Sequence, residues 1–135
     1  MVATVMQIES CGHPSIKSRA GADGLFQVMP FHFGSTENPE DPETNALRGL
    51  NYLQRTHELA GRDAKLTFAG YNGGQSVIQQ DPITWYEETR RYAMWGEGIL
   101  TDIAHGREQS PTLDRWMQEG GESLCKSARI VLGLQ

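Results

Sequence analysis

Apolar residues along this chain recur at steps of three and four, and they nowhere alternate over a useful length. Val2, Val5, Met6 and Ile8 precede Glu9, and their spacing predicts a helix over residues 1–9 with Val2, Val5 and Met6 on one face. Residues 10–24 are polar and contain glycine, so they read as loop. Leu25 to Met29 reads as a short helical turn stopped by Pro30, and residues 31–41 as a loop rich in Gly, Asn and Pro. Asp41-Pro42 supplies an N-cap and a first-turn proline. Ala46, Leu47, Leu50, Leu53 and His57 then mark the expected inner face of a helix that Gly61 stops. Asp63 caps the next helix, with Leu66, Phe68 and Ala69 inward and Gly73-Gly74 as its end. Ser76 begins a short segment. Thr84 and Glu87 have capping-box spacing, which predicts a helix to about Trp95. Ser110-Pro111 opens another that ends at Gly120-Gly121, and a last helix covers about 122–132. With no repeat and no dividing linker, residues 1–135 read as one all-α, or nearly all-α, domain.

Composition narrows the function more than the fold. The 135 residues suffice for one domain with a core. Charged residues make up 21%, too few for a disordered chain. The net charge of −5 lacks the basic surplus of a nucleic-acid binder. No stretch reaches membrane-spanning length. No Cys or His spacing matches a zinc site, and neither a metal nor another cofactor is expected. No secretory leader is visible; if the protein is exported, a leader is expected upstream of Met1. Cys11 and Cys125 allow one bridge that closes nearly the whole chain, stabilising by about 4–5 kcal/mol in the chain-entropy picture. Two buried free thiols are the other reading.

The candidate chemistry starts at Glu9. Protonating a glycosidic oxygen requires a carboxylic acid that keeps its proton near neutral pH, and apolar surroundings favour that state. The apolar run before Glu9 is placed to supply them. A lone Glu at a helix end is more often simply solvated, so the assignment rests on the stretches that follow. These are Glu9-Ser10; S-R-A-G-A-D-G-L-F-Q-V-M-P at 18–30; N-A-L-R-G-L-N-Y-L at 45–53; A-G-Y-N-G-G at 69–74; and E-T-R-R-Y at 88–92.

In that order these stretches resemble the soluble-type lytic transglycosylases, relatives of goose-type lysozyme that cut bacterial peptidoglycan. The resemblance spans about residues 1–95. It implies a lysozyme-like fold with a substrate cleft, completed by a helical segment over 96–135. It makes Glu9 the acid and then the base. Ser18 and Gln27 match positions that hydrogen-bond the sugar, and Met29 one that lines the cleft. Tyr71 and Asn72 match the aromatic and amide flanking the acid, and Glu88 and Tyr92 a pair ordering the cleft floor. Each also has a plain reading: Phe26, Met29 and Tyr92 as core, Ser18 as a cap, Asn72-Gly73 as a turn. Phe26 stands where Met is usual, and Gly70 where the family carries a larger apolar residue.

Most glycosidases use two carboxylates. Goose-type lysozyme has an Asp directly after the G-L-F-Q-V stretch, where this chain has Met29, which cannot activate water. The lytic transglycosylases use one Glu, and the sugar's own 6-hydroxyl attacks to close a 1,6-anhydro ring. The resemblance thus implies a single-acid lytic transglycosylase. Asp23 and Asp41 keep a hydrolytic muramidase or chitinase open as the alternative. A non-catalytic glycan-binding module is a third reading, disfavoured by the retained Glu9. The resemblance further implies peptidoglycan strands as partner, a monomer, and an extracytoplasmic setting that tilts Cys11 and Cys125 toward a bridge.

Overall fold

A computed structural model describes residues 1–134. Six α-helices carry the chain: α1 (Val2–Ser10), α2 (Pro42–Leu59), α3 (Ala64–Gly73), α4 (Glu87–Ala104), α5 (Pro111–Trp116) and α6 (Glu122–Val131). Short 3₁₀ turns occupy Pro30–His32, Gln75–Gln79 and Pro82–Thr84. Among the described residues no strand forms; the extended pairing is limited to two isolated bridges, Lys17 with Asp23 and Asp23 with Val28. The fold is all-α, as the residue spacing predicts. No described helix is long and apolar enough to cross a membrane.

The chain forms two compact units. One comprises Val2–Asn51 and the segment from Met117 onward; the other comprises Tyr52–Trp116. They are called here the Glu9 unit and the Tyr71 unit.

In the Glu9 unit α1 buries Thr4, Val5 and Ser10 and exposes Val2. Asp41 starts α2 by accepting the Thr44 N–H on Oδ2 at 2.9 Å, the cap its sequence predicts. The inner face of α2 differs from the expected one. Leu47 and Leu50 are 55% and 38% exposed and Ala46 is half-buried, whereas Asn45 and Gly49 are buried. The reason is what α2 packs on. Gly49 lies under the Phe26 ring, where a Cβ would sit 2.4 Å from Phe26 Cβ. Residues 25–29 form a turn rather than a helical stretch. Gln27 sits there at φ 48°, a left-handed value that ends any helix. Near the C-terminal side, Gly120 at φ 133° breaks the passage from Met117–Gly121 into α6.

The Tyr71 unit is built by helix packing. Asp63 caps α3, accepting the Leu66 N–H. Phe68 and Ala69 are fully buried, while Leu66 is only half-buried. The capping box expected at Thr84 does not form: the Thr84 hydroxyl donates to the Asp81 carbonyl inside a 3₁₀ turn. Trp85 is extended and buried, its Nε1–H donating to the Val77 carbonyl at 3.0 Å, so α4 begins only at Glu87. It also runs past Trp95 to Ala104. Gly96 is part of its packing surface, in contact with the Phe68 ring. Ser110 Oγ accepts the Leu113 N–H and opens α5.

Candidate active site

Within the Glu9 unit, the motif residues converge on a locked turn after α1. Glu9 is the penultimate residue of α1 and is half-buried. Ser10, beside it, is fully buried; its hydroxyl donates to the Leu25 carbonyl at 2.7 Å and accepts the Gly12 N–H at 3.1 Å. The end of the Glu9 helix is thereby tied to the turn that carries Gln27.

That turn is set by an amide in α2. Asn45 is fully buried; its Oδ1 accepts the Phe26 N–H at 2.9 Å, and its Nδ2 donates to the carbonyls of Asp23 at 2.7 Å and Pro39 at 2.9 Å. Gly24, at φ 72°, leaves room for the amide; a Cβ there would lie 2.5 Å from Asn45 Nδ2. Gln27 holds its strained backbone with its own side chain. Nε2 donates to the Ile16 and Gly24 carbonyls at 3.0 and 3.1 Å, which leaves the carbonyl oxygen Oε1 as the acceptor a ligand can use. A left-handed non-glycine residue costs about 1–3 kcal/mol and persists only where its surroundings over-determine it. Met29 is half-buried immediately before the Pro30–His32 turn. Ser18 is exposed, and its Oγ accepts the Ala22 N–H at 3.0 Å while its backbone also pairs with Ala22. Its hydroxyl hydrogen stays available to a ligand.

The two other acids considered for a second catalytic role have structural partners. Asp23 is 4% exposed and its Oδ1 lies 2.7 Å from Lys17 Nζ. The hydrogen bond to Asp23, with a second to Glu40, raises the Lys17 pKa. Asp41 is the α2 cap, and the Thr44 N–H and hydroxyl hold its carboxyl below the usual range.

The Tyr71 unit gathers the remaining motif residues where α3 ends and α4 begins. Asn72 Oδ1 accepts the Thr89 hydroxyl at 2.9 Å, and its Nδ2 donates to Glu88 Oε1 at 3.4 Å. The A-G-Y-N-G-G and E-T-R-R-Y stretches thus clasp each other through adjacent residues, with Thr89 buried and Glu88 exposed. Tyr71 is buried and stands edge-on to Tyr52, ring centroids 5.4 Å apart. The Tyr52 hydroxyl donates to the Gly70 carbonyl at 3.4 Å, and burial raises its pKa. Tyr92 is 6% exposed and packs at 6.2 Å from Phe68. A surface cavity in this unit, lined by Trp85, Arg90, Met94, Asp102 and Thr112, contains none of the expected site residues; of the motif stretches only Arg90 reaches it.

Ser10, Asn45 and Thr89 shape these sites although none was among the expected site residues. Each lies inside a stretch that carried the resemblance, so its position was visible and its task was not. Among the described residues no cluster of His, Cys, Asp and Glu could hold a metal ion.

Comparison with known proteins points one way. Residues 1–92 match the transglycosylase SLT domain family. The chain is 34% identical over 89 residues to the soluble lytic murein transglycosylase of Escherichia coli K12, an alignment covering 57% of this chain and 13% of that protein. It is 33% identical over 94 residues to the transglycosylase of Enterobacteria phage PRD1, covering 68% of this chain and 33% of that one. The solved complex of the 70-kDa soluble lytic transglycosylase with bulgecin A shares the fold, with TM-score 0.67 at 25% identity over 83% of this chain and 22% of the other. The chain therefore spans about a third or less of the length of these relatives.

Proposed function

Because the chain belongs to the transglycosylase SLT domain family, we propose that it is a lytic transglycosylase that cuts the β-1,4 bond between N-acetylmuramic acid and N-acetylglucosamine in peptidoglycan. Glu9 is the single acid. It protonates the leaving glycosidic oxygen and then, as carboxylate, takes the proton of the sugar's own 6-hydroxyl as that oxygen attacks the anomeric carbon. The product ends in a 1,6-anhydro ring, and the N-acetyl group stabilises the positive centre between the two steps. An intramolecular nucleophile needs no water and no second protein base, because its effective concentration is set by the ring itself.

The observation that carries the single-acid reading is the employment of the alternatives. Asp23 is buried against Lys17 and Asp41 caps α2, so neither is a poised base for water, and Met29 has no basic atom. Gln27 Oε1 and the Ser18 hydroxyl are the sugar-binding polar groups of the Glu9 unit, with Met29 as an apolar contact. Tyr71, Asn72, Glu88 and Tyr92 are the sugar-binding candidates of the Tyr71 unit. The proposal treats the 135 residues as one monomeric catalytic domain acting in the cell envelope, where this substrate lies. Glu9→Gln keeps the side-chain shape and cannot deliver a proton; release of soluble fragments from purified peptidoglycan should fall by about 10²–10⁴-fold or more. Undiminished release by that variant would remove Glu9 from the chemistry.

A further inference from the structure

The segment after Trp116 lies outside the 1–92 family match, yet in the Glu9 unit it is fastened to the helix that carries the acid. Cys11 and Cys125 form a disulfide, with Cα atoms 5.1 Å apart and a separation of 114 in sequence. Cys11 is two residues beyond Glu9, and the backbone there is irregular: Cys11 has φ 50° and Gly12 has φ 81°. A left-handed pair directly after a nine-residue helix has little local reason to keep one conformation. Several contacts hold it. The Cys11 N–H still donates to the Gln7 carbonyl at 3.1 Å and the His13 N–H to the Ser10 carbonyl at 2.9 Å. The Gln7 amide, one turn earlier in α1, donates toward both sulfurs, at 3.2 Å to Cys11 and 3.4 Å to Cys125. On the other side Cys125 is 5% exposed in α6, which packs on α1, and Met117 Sδ lies 3.7 Å from its sulfur. The bridge therefore joins α6 to the strained pair itself, one residue beyond the end of α1 and two beyond Glu9.

We propose that the Cys11–Cys125 bridge, with α6 behind it, is a positioning element for Glu9, so that the turnover of the enzyme depends on the bridge being closed. This rests on the reading of Glu9 as the acid. Gln27 and Ser18 have bonds to Ile16, Gly24 and Ala22 beside the Ser10–Leu25 tie to α1, so opening the bridge acts on the acid more than on sugar binding. Displacing a catalytic group by about an ångström costs on the order of 10²-fold in rate.

The test follows the 135-residue protein through reduction by dithiothreitol in a stabilising osmolyte. Two electrons and two protons pass from the dithiol to the bridge, giving two cysteine thiols and the cyclic disulfide of the reagent. Peptidoglycan turnover, free thiol and helical circular dichroism are read together. The expected result is a fall in kcat of about tenfold or more as thiol appears, KM changed by less than about twofold, the helical signal retained, and kcat restored on reoxidation. An unchanged kcat with the bridge open would overturn the proposal. So would activity and helical signal vanishing together, because the bridge would then act only through folding. If the oxidised protein cleaves no glycan, the catalytic reading itself fails, and amide exchange decides the positioning role. Reduction should then expose the Cys11 and His13 amides while α3 stays protected, and equal protection in both states would overturn it.

Discussion

The Glu9 unit and the Tyr71 unit keep their shapes by different means. In the first, a long loop between α1 and α2 is pinned by polar side chains that reach backbone groups: Ser10 to Leu25, Asn45 to Phe26, Asp23 and Pro39, and Gln27 to Ile16 and Gly24. Ion pairs and the disulfide add to this; Arg48 and the Gly34 N–H together hold Glu37 and lower its pKa. In the second, helices approach closely around a buried ring, Phe68, with Gly96 in contact with it. The difference shows where each kind of substitution should hurt. Loops locked by polar bonds lose several bonds when one amide is removed. Helices locked by contact are sensitive to a single added methyl group.

The largest expected effect falls on the Glu9 unit. Replacing Cys11 and Cys125 together by serine should cost about 4–5 kcal/mol in denaturant unfolding, since the bridge closes almost the whole chain. Asn45→Ala should follow at about 2–4 kcal/mol, because it takes the amide from the Phe26 N–H and the Pro39 carbonyl, each worth about 1–3 kcal/mol when buried, and one of two donors from the Asp23 carbonyl, which keeps the Val28 N–H. Asn45→Asp tests the same contrast, since it retains the acceptor and loses both donors. A loss below about 1 kcal/mol in Asn45→Ala would mean that the turn is held by packing after all. In the Tyr71 unit, Gly96→Ala would place a Cβ 2.4 Å from the Phe68 ring and should cost about 1–3 kcal/mol. A neutral result there would show that the ring yields and that contact does not define this unit.

The smallest effect concerns pH. Asp102 is lowered from 3.8 to about 2, chiefly by the Ser110 hydroxyl and then by the Thr112 N–H. A folded-state pKa below the unfolded one gives stability that is present above about pH 4 and lost as the pH falls toward 2. Thermal unfolding of Asp102→Asn should therefore lie below that of the wild type at pH 5 and approach it near pH 2. A constant difference across that range would exclude the linkage.

How much of this was legible in the sequence follows the same division. The caps at Asp41, Asp63 and Ser110 were readable because a short polar side chain before a helical run has one main use. The place of Glu9 at the end of α1 followed from the apolar spacing before it. The inner face of α2 was not readable from hydrophobicity, because an amide network and a glycine under Phe26 decide it, leaving Leu47 and Leu50 outside. Gln27 is not a residue type that signals a left-handed backbone, so its turn read as helical. The helix expected to end at about Trp95 runs on because Gly96 meets the Phe68 ring, 28 positions earlier in sequence. The site residues were named by resemblance. What could not be read was that Asn72, Glu88 and Thr89 form one clasp while Ser10 and Asn45 form another lock.

The central claim is that one carboxyl, Glu9, cuts a glycan strand without activating water. Mass spectrometry of the fragments released from purified peptidoglycan tests it most directly. The expected fragments end in 1,6-anhydro-N-acetylmuramic acid, lighter by one water than a hydrolysed end, and are absent with Glu9→Gln. Reducing ends from the wild type, lost on Asp23→Asn or Asp41→Asn in a protein that stays folded, would contradict the account and make the enzyme a hydrolase.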